Sequence, residues 1–576
     1  MSTVRQRRWG SYAILIATCL VVGVPVLADL AGDPLRRPFG YLAADAFYYL
    51  TVARNIVLRG SVSMDGVHPT NGFHPLWQLA AAMSYGVARL FRHPGHALFA
   101  LAVANLAFVV GAVWLLGQTL IRIQRSLTVL FLGLPFGLYA LFVLPAWTVP
   151  LGKLGAIGGA EGPLPLYGTL YSFVNGMESG LALFAFALAA RLLTRHMASR
   201  SLKRGLQCGG ALAFLALARL DHAALVLVPL GAWALLILRN PRRRRFAVGA
   251  VVAAIGPLAL YLLVNVCYAG TAVPVSGAAK ATFPVPQTYV IDGAAEFLRS
   301  PWSDHHLLAL YRSAPETLSI LATMFYLCIV LRVQLKGRPR GLRLRPFATR
   351  LDAFLVMMSP GILALDAYDI LYVSGIGHWY FPVVTLCISL QFLSLWNALW
   401  TAWRRASAGR RVPPALRSSW WRAASGLGIA ALTVLGFYRY QRVLPYHRLY
   451  SDFCYQIAPR VRLALHDAVP NLLEMDDGVI GYCLDVPAMS GMALALDKEA
   501  FVAWRERRLL EVAVGRGFGA VATLFYAPHD VTLTSAPGAV TRWLGYMEVG
   551  LPAGYQARVL YGDTEFTIVT VTGPPR

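Results

Sequence analysis

Asp45, Glu178, Arg219, Asp221 and Lys280 lie at or near the edges of long apolar runs. An ionisable group there is expensive unless it faces a cavity or a partner. A carboxylate so placed can accept a proton, and a guanidinium or ammonium can hold an anion. Each residue also has a plainer reading. Asp45, followed by Phe47, Tyr48 and Tyr49, is either a reacting acid or the cap of an interfacial helix. Arg219 and Asp221 either serve a site or pair with one another at a broken helix, and Lys280 is either a ligand for an anion or an interfacial anchor. Glu178 opens an apolar helix after Asn175 and Gly176, as an N-terminal charge on the helix dipole or as part of a site.

A second set is polar or aromatic: His68, Asn71, His74 and Trp77 in one HPTNGFHPLW stretch, then His222, His378, Trp379 and Tyr380. Two histidines six residues apart with one nearby acid make a poor metal site, so His68 and His74 read more readily as hydrogen-bonding groups that organise a loop. Trp379 and Tyr380 would sit at headgroup level in any membrane protein.

The elements that must position these residues follow from composition. The chain has 576 residues, 57% hydrophobic and only 14% charged, with apolar runs long enough to cross about 30 Å of hydrocarbon. The reading is a mainly α membrane protein, a polytopic helical bundle of about eleven spans. Spans are expected at Ser11–Leu30, Ala97–Leu120, Ser126–Trp147, Met177–Leu193, Leu206–Ala218, His222–Leu238, Phe246–Tyr268, Thr317–Leu331, Leu351–Val373, Trp379–Trp400 and Ala423–Tyr438. The apolar stretch His74–Phe91 is placed on the outer surface as an interfacial helix. Were it a span, the basic clusters Arg191–Arg204 and Arg242–Arg245 would fall outside, against the positive-inside bias. Residues 1–438 thus form the membrane module, with residues 31–95 as the first external loop and the N-terminus, an uncleaved anchor, in the cytoplasm. From residue 439 no run is long enough to span. Residues 439–576 read as a small extracytoplasmic α/β domain, with strands at Gly478–Leu484, Ala520–Phe525, Gln556–Leu560 and Thr567–Thr572 around a helix at Asp497–Val514.

The net charge of +24 concentrates in the short basic loops, where it encodes orientation rather than affinity for nucleic acid. The seven cysteines show no zinc spacing. Cys454 and Cys483 fall together in the last domain and are either a disulfide or two free thiols. In this topology the ionisable residues, with Asp366 and Asp369, gather on the outer side, as one polar cavity opening outward requires.

The strings Asp45-Ala46-Phe47-Tyr48-Tyr49-Leu50 and His68 to Trp77 resemble the first external loop of bacterial GT-C glycosyltransferases, arabinofuranosyltransferase-like and mannosyltransferase-like membrane enzymes that use polyprenyl-phosphate sugars. Asn175-Gly176-Met177-Glu178-Ser179-Gly180 resembles that family's Gly-Met-Glu-Thr span opening, Arg219-Leu220-Asp221-His222 its Arg-Pro-Glu/Asp-Gly turn, and Gly270 to Lys280 its Gly-x-x-x-Pro-x-Ser/Thr loop ending in Lys. The stretch from Asp476 to Asp497 resembles the external domain of some members. The chain departs from the pattern where a double acid is usual, reading Ala44-Asp45, and where Arg-Pro is usual, reading Arg219-Leu220.

The resemblance implies an inner-membrane hexosyl- or pentosyltransferase of inverting type, with a polyprenyl-phosphate sugar as donor, a cell-envelope glycan, lipid or protein as acceptor, and no nucleic-acid partner. Asp45 would be the catalytic base, Arg219 and Lys280 the ligands of the donor phosphate. His68, Asn71, His74, Trp77, Glu178, Asp221, His222, His378, Trp379 and Tyr380 would line the substrate site. No cofactor is called for with certainty; Asp45, Glu178 and Asp221 are the carboxylates through which a divalent metal could bind. Two other functions compete. A transporter would place its charges at the midplane between repeated halves, and neither feature is found. A non-catalytic scaffold on the same fold stays open, because a fold does not prove activity.

Overall fold

The computed structural model describes residues 2–91, 95–124, 173–287, 319–332, 350–373, 380–406, 448–475, 478–524, 551–562 and 566–574, with isolated positions at 295, 299, 317 and 544. The expected spans at 126–147 and 423–438 lie outside them.

The helices follow the apolar runs: α1 (Ser2–Gly32), α2 (Ala46–Arg59), α3 (Pro75–Arg89), α4 (Gly95–Gln124), α5 (Ser179–His196), α6 (Leu202–Ala218), α7 (Ala223–Arg239), α8 (Arg244–Ala269) and the short α9 (Val275–Lys280). An apolar helix α10 (Ser319–Arg332) comes next, followed by α11 (Arg350–Tyr372) and α12 (Pro382–Ala406). Among the described residues five stretches are long and apolar enough to cross a membrane: Gly10–Gly32, Gly95–Arg122, Leu220–Arg239, Pro241–Ala269 and Arg350–Tyr372. The architecture is a polytopic helical membrane bundle with a small sheet.

Two features explain how the bundle closes. Gly205 and Gly209 on α6 lie against the backbone of α8; a Cβ at either would come within 2.0 Å of the carbonyl oxygen of Phe246 or Ala250. This spacing of small residues lets two helix backbones approach where lipid supplies no hydrophobic drive between them. The helix α3 does the reverse. Leu79, Met83 and Val87 are exposed, one per turn, while Trp77, Ala81 and Ala88 are buried on the other face, as a helix lying on the bilayer surface requires.

At one end of the bundle sits the sheet, with its core of Leu473, Met489, Val521 and Val569 packed against Phe501 and Leu510. Its strands are β1 (Leu472–Glu474), β2 (Ala488–Ser490), β3 (Ala520–Thr523), β4 (Gln556–Gly562) and β5 (Thr567–Thr572), in the order β2-β1-β3-β5-β4. The pairs β1/β2 and β1/β3 are parallel, and β5 is antiparallel to β3 and β4. Strands β1 and β2 were not foreseen, and the strand expected at Gly478–Leu484 is instead a helix over Val479–Leu484. The topology gives the reason: two adjacent parallel strands need a crossover, and this segment is that crossover. Glu474 on β1 accepts the Gly481 N–H at 2.7 Å. The expected helix at Asp497–Val514 breaks at Arg507, where φ is +58°, into Lys498–Arg505 and Leu509–Gly515. Asp497 caps the first of these, accepting the N–H groups of Glu499 and Ala500. Cys454 and Cys483 are joined as a disulfide, with 4.9 Å between their Cα atoms.

Candidate active site

The site is built at the sheet end of the bundle from separate chain segments, and its centre is Arg219. The chain leaves α6 in an extended conformation at Arg219 (φ −154°) and makes a single turn at Leu220–His222 before α7 begins. That break aims the guanidinium inward, where it is 2% exposed. Its Nε donates to both oxygens of Asp221 at 3.0 and 2.9 Å, and Nη1 lies 3.2 Å from Glu178 Oε1. Tyr380 covers it, with the guanidinium carbon 4.0 Å from the ring centroid. Burial works against the charge, but the Asp221 and Glu178 carboxylates outweigh it and raise the arginine's pKa further.

Glu178, buried at the start of α5, is held by more than Arg219. It accepts the Tyr49 hydroxyl at 3.3 Å and faces His74 Nε2 at 3.5 Å. The Leu220 N–H donates to His74 Nδ1 at 3.2 Å, which leaves that nitrogen as the acceptor and places the ring proton on Nε2, toward Glu178. Burial lowers the His74 pKa, with Glu178 opposing the shift, and the ring stays neutral. The turn at Leu220 and the start of α3 are thereby tied together.

The second acid–cation pair is Asp45 with Lys280. Asp45 sits just before α2 and is 6% exposed; Lys280, the last residue of α9, brings Nζ to 3.2 Å from its Oδ2. No side-chain capping bond is made by Asp45 to α2, so the carboxylate is not spent on the helix end. That removes the plainer of its two readings.

The remaining candidates separate. His222 is buried next to Asp221, 3.9 Å away. Asp366 and Asp369 are buried on α11, Asp369 within electrostatic reach of Arg219 and Asp221. Trp77 is fully buried and donates to the Gly176 carbonyl at 2.8 Å, so it braces the start of α5. His68 bonds Asp65 at 2.6 Å within its own loop. Asn71 is 1% exposed and its amide is taken up by backbone and Thr271. His378 and Trp379 lie outside the described residues. Among the described residues no three acids, histidines or cysteines converge as metal ligands; Asp45 pairs with Lys280 while Glu178 and Asp221 share Arg219.

Tyr49, Asn105 and Asp65 were not singled out from the sequence. Asn105 accepts the Gly180 N–H and donates to the Met177 carbonyl, and its signal was an amide in the middle of the apolar run 97–120, well away from Gln118 near the run's end. Asp65 accepts the N–H groups of Val67 and His68, both at 2.8 Å, which gives the first loop its turn.

No protein-family profile matches the sequence, and no curated protein matches it. Solved structures do. The chain superposes on ArnT from Cupriavidus metallidurans bound to undecaprenyl phosphate with a TM-score of 0.52 and 13% identity, covering 98% of this chain and 99% of that one. The apo state of the same protein gives 0.52 and 14% over the same shares. At such identity the likeness establishes the fold, and the fold is GT-C.

Proposed function

We propose that this GT-C chain is an integral membrane glycosyltransferase that takes a sugar from a polyprenyl phosphate and passes it to a cell-envelope acceptor on the extracytoplasmic face. One observation carries the reading. A carboxylate not used as a helix cap, Asp45, lies 3.2 Å from an ammonium at the sheet end of the bundle, and the solved structure with this fold holds undecaprenyl phosphate.

The chemistry asked of these groups is limited. The acceptor hydroxyl gives its proton to Asp45 while its oxygen attacks the anomeric carbon; the bond from that carbon to the phosphate oxygen breaks, and configuration inverts. The departing polyprenyl phosphate carries the negative charge, which Lys280 neutralises as a point charge; Arg219, the other expected phosphate ligand, is already shared by Glu178 and Asp221 and acts by holding those carboxylates in place. Lys280 serves both steps: as it turns from Asp45 to phosphate, it leaves the carboxylate unpaired and ready to accept a proton. The basic loops put the N-terminus in the cytoplasm and the sheet domain outside.

The test is sugar transfer by the purified protein in nanodiscs, across a panel of polyprenyl-phosphate pentoses and hexoses. Turnover with one of them supports the enzyme. Binding of the lipid with no transfer from any donor would instead make the chain a scaffold on an enzyme fold.

A further inference from the structure

The short helix α9 raises a question of support. It has six residues, too few to hold its own shape, yet it ends on Lys280. Its first turn is fixed from a distance by Asn71. The Asn71 Nδ2 donates to the Thr271 carbonyl at 3.1 Å and to Thr271 Oγ1 at 3.0 Å; its Oδ1 accepts the N–H of Val275, the first residue of α9, at 3.1 Å. A side chain two hundred residues upstream therefore does what a cap residue does for its own helix. On the far side, the Thr282 N–H donates to the Tyr372 carbonyl at 2.8 Å.

The residues flanking Asn71 face the sheet domain. Thr70 Oγ1 donates to the Leu496 carbonyl at 2.8 Å. Gly72 lies so near the Leu494 carbonyl that a Cβ would fall 1.9 Å from its oxygen. Three consecutive residues thus touch both the cap of α9 and the backbone that leads into the sheet domain's helices.

We infer that Asn71 is a positioning residue: it sets where the Lys280 ammonium sits relative to Asp45, and Thr70 and Gly72 tie that position to the sheet domain. The geometry stands without the proposed function; its consequence for donor affinity rests on it.

The first test needs no donor. In the full chain carrying Asp45→Cys and Lys280→Cys, a short bis-maleimide should bridge the two introduced thiols, and adding Asn71→Ala should slow bridging about tenfold, the scale of one or two lost hydrogen bonds. Unchanged bridging would overturn the inference. Should Asn71→Ala fail to fold, Asn71→Asp, which keeps the acceptor for Val275 but loses both donors, carries the same comparison. The second test is a double-mutant cycle on the affinity for undecaprenyl phosphate in nanodiscs. Asn71→Ala and Lys280→Ala should each weaken binding, and the double variant should be no weaker than Lys280→Ala alone, because Asn71 acts through the lysine. Losses that multiply would show a general structural role and sink the assignment. If bridging responds to Asn71 while Lys280→Ala leaves affinity unchanged, the donor-phosphate reading fails and the positioning one stands.

Discussion

Arg219 and Lys280 both meet carboxylates at the sheet end of the bundle, but Arg219 keeps 2% of its side chain exposed and Lys280 keeps 25%. The arginine is shared by Glu178 and Asp221 and roofed by Tyr380. It cannot leave without stranding two buried carboxylates, an outcome far more costly than losing an exposed pair. The lysine sits partly exposed at the end of a short helix, and its flexible stem can carry the ammonium from Asp45 to an arriving anion at small cost. The same chemistry, acid with cation, thus serves as a fixed field in one place and as a moving part in the other.

That contrast can be broken from the reacting side first. Asp45→Asn should lower transfer by roughly a hundredfold to ten-thousandfold, the usual worth of a general base, while expression and lipid binding persist; full activity in this variant would remove Asp45 from the chemistry. On the fixed side, Arg219→Gln strands the Glu178 and Asp221 carboxylates without their shared cation in a buried place. It should destabilise the fold by about 3–5 kcal/mol, as broken buried pairs do, read as a lower unfolding midpoint in detergent. An unshifted midpoint would mean that the array is not the rigid part.

On the moving side, Lys280→Ala should raise the donor KM about tenfold or more, the scale of a lost charge-assisted hydrogen bond, with the unfolding midpoint nearly unchanged. A large drop in the midpoint would erase the distinction between the two cations. The smallest effect concerns His74. Its pKa is lowered on folding by burial, so below its ordinary value of 6.5 the unfolded chain takes up a proton that the folded ring refuses. Stability from this group is complete above that pH and is lost as pH falls through it. Unfolding midpoints measured from about pH 7.5 to about pH 5 should decline in the wild type and decline less in His74→Asn.

The apolar runs made the helical bundle legible in the sequence, since length and hydropathy alone decide what can cross a bilayer. A helix over 75–89 was equally readable from the short apolar stretch His74–Phe91, while its two unlike faces were not. The crossover over 479–484 was not, because a six-residue apolar run has no period long enough to separate strand from helix. In the site, Asp45, Glu178, Arg219 and Lys280 stood out as charges at membrane depth. The pairing of those charges did not, because it depends on contacts such as Asp45 with Lys280, 235 residues apart. The burial of Trp77 and Asn71 was hidden as well, because sequence gives the residue type and withholds its exposure.

The first external loop has a further consequence, one of timing during synthesis. Arg54 bonds Asp485 across 431 residues and Thr70 bonds Leu496 across 426, so the ribosome has finished nearly all of the chain before either loop residue meets its partner. Until then the loop waits at the membrane surface with its polar groups in water. Contacts of such separation form late and slowly, which makes assembly of the site the closing step of biogenesis. Shortened products that lack the sheet domain would carry Asp45, Glu178, Arg219 and Lys280 in full and still not hold them in register.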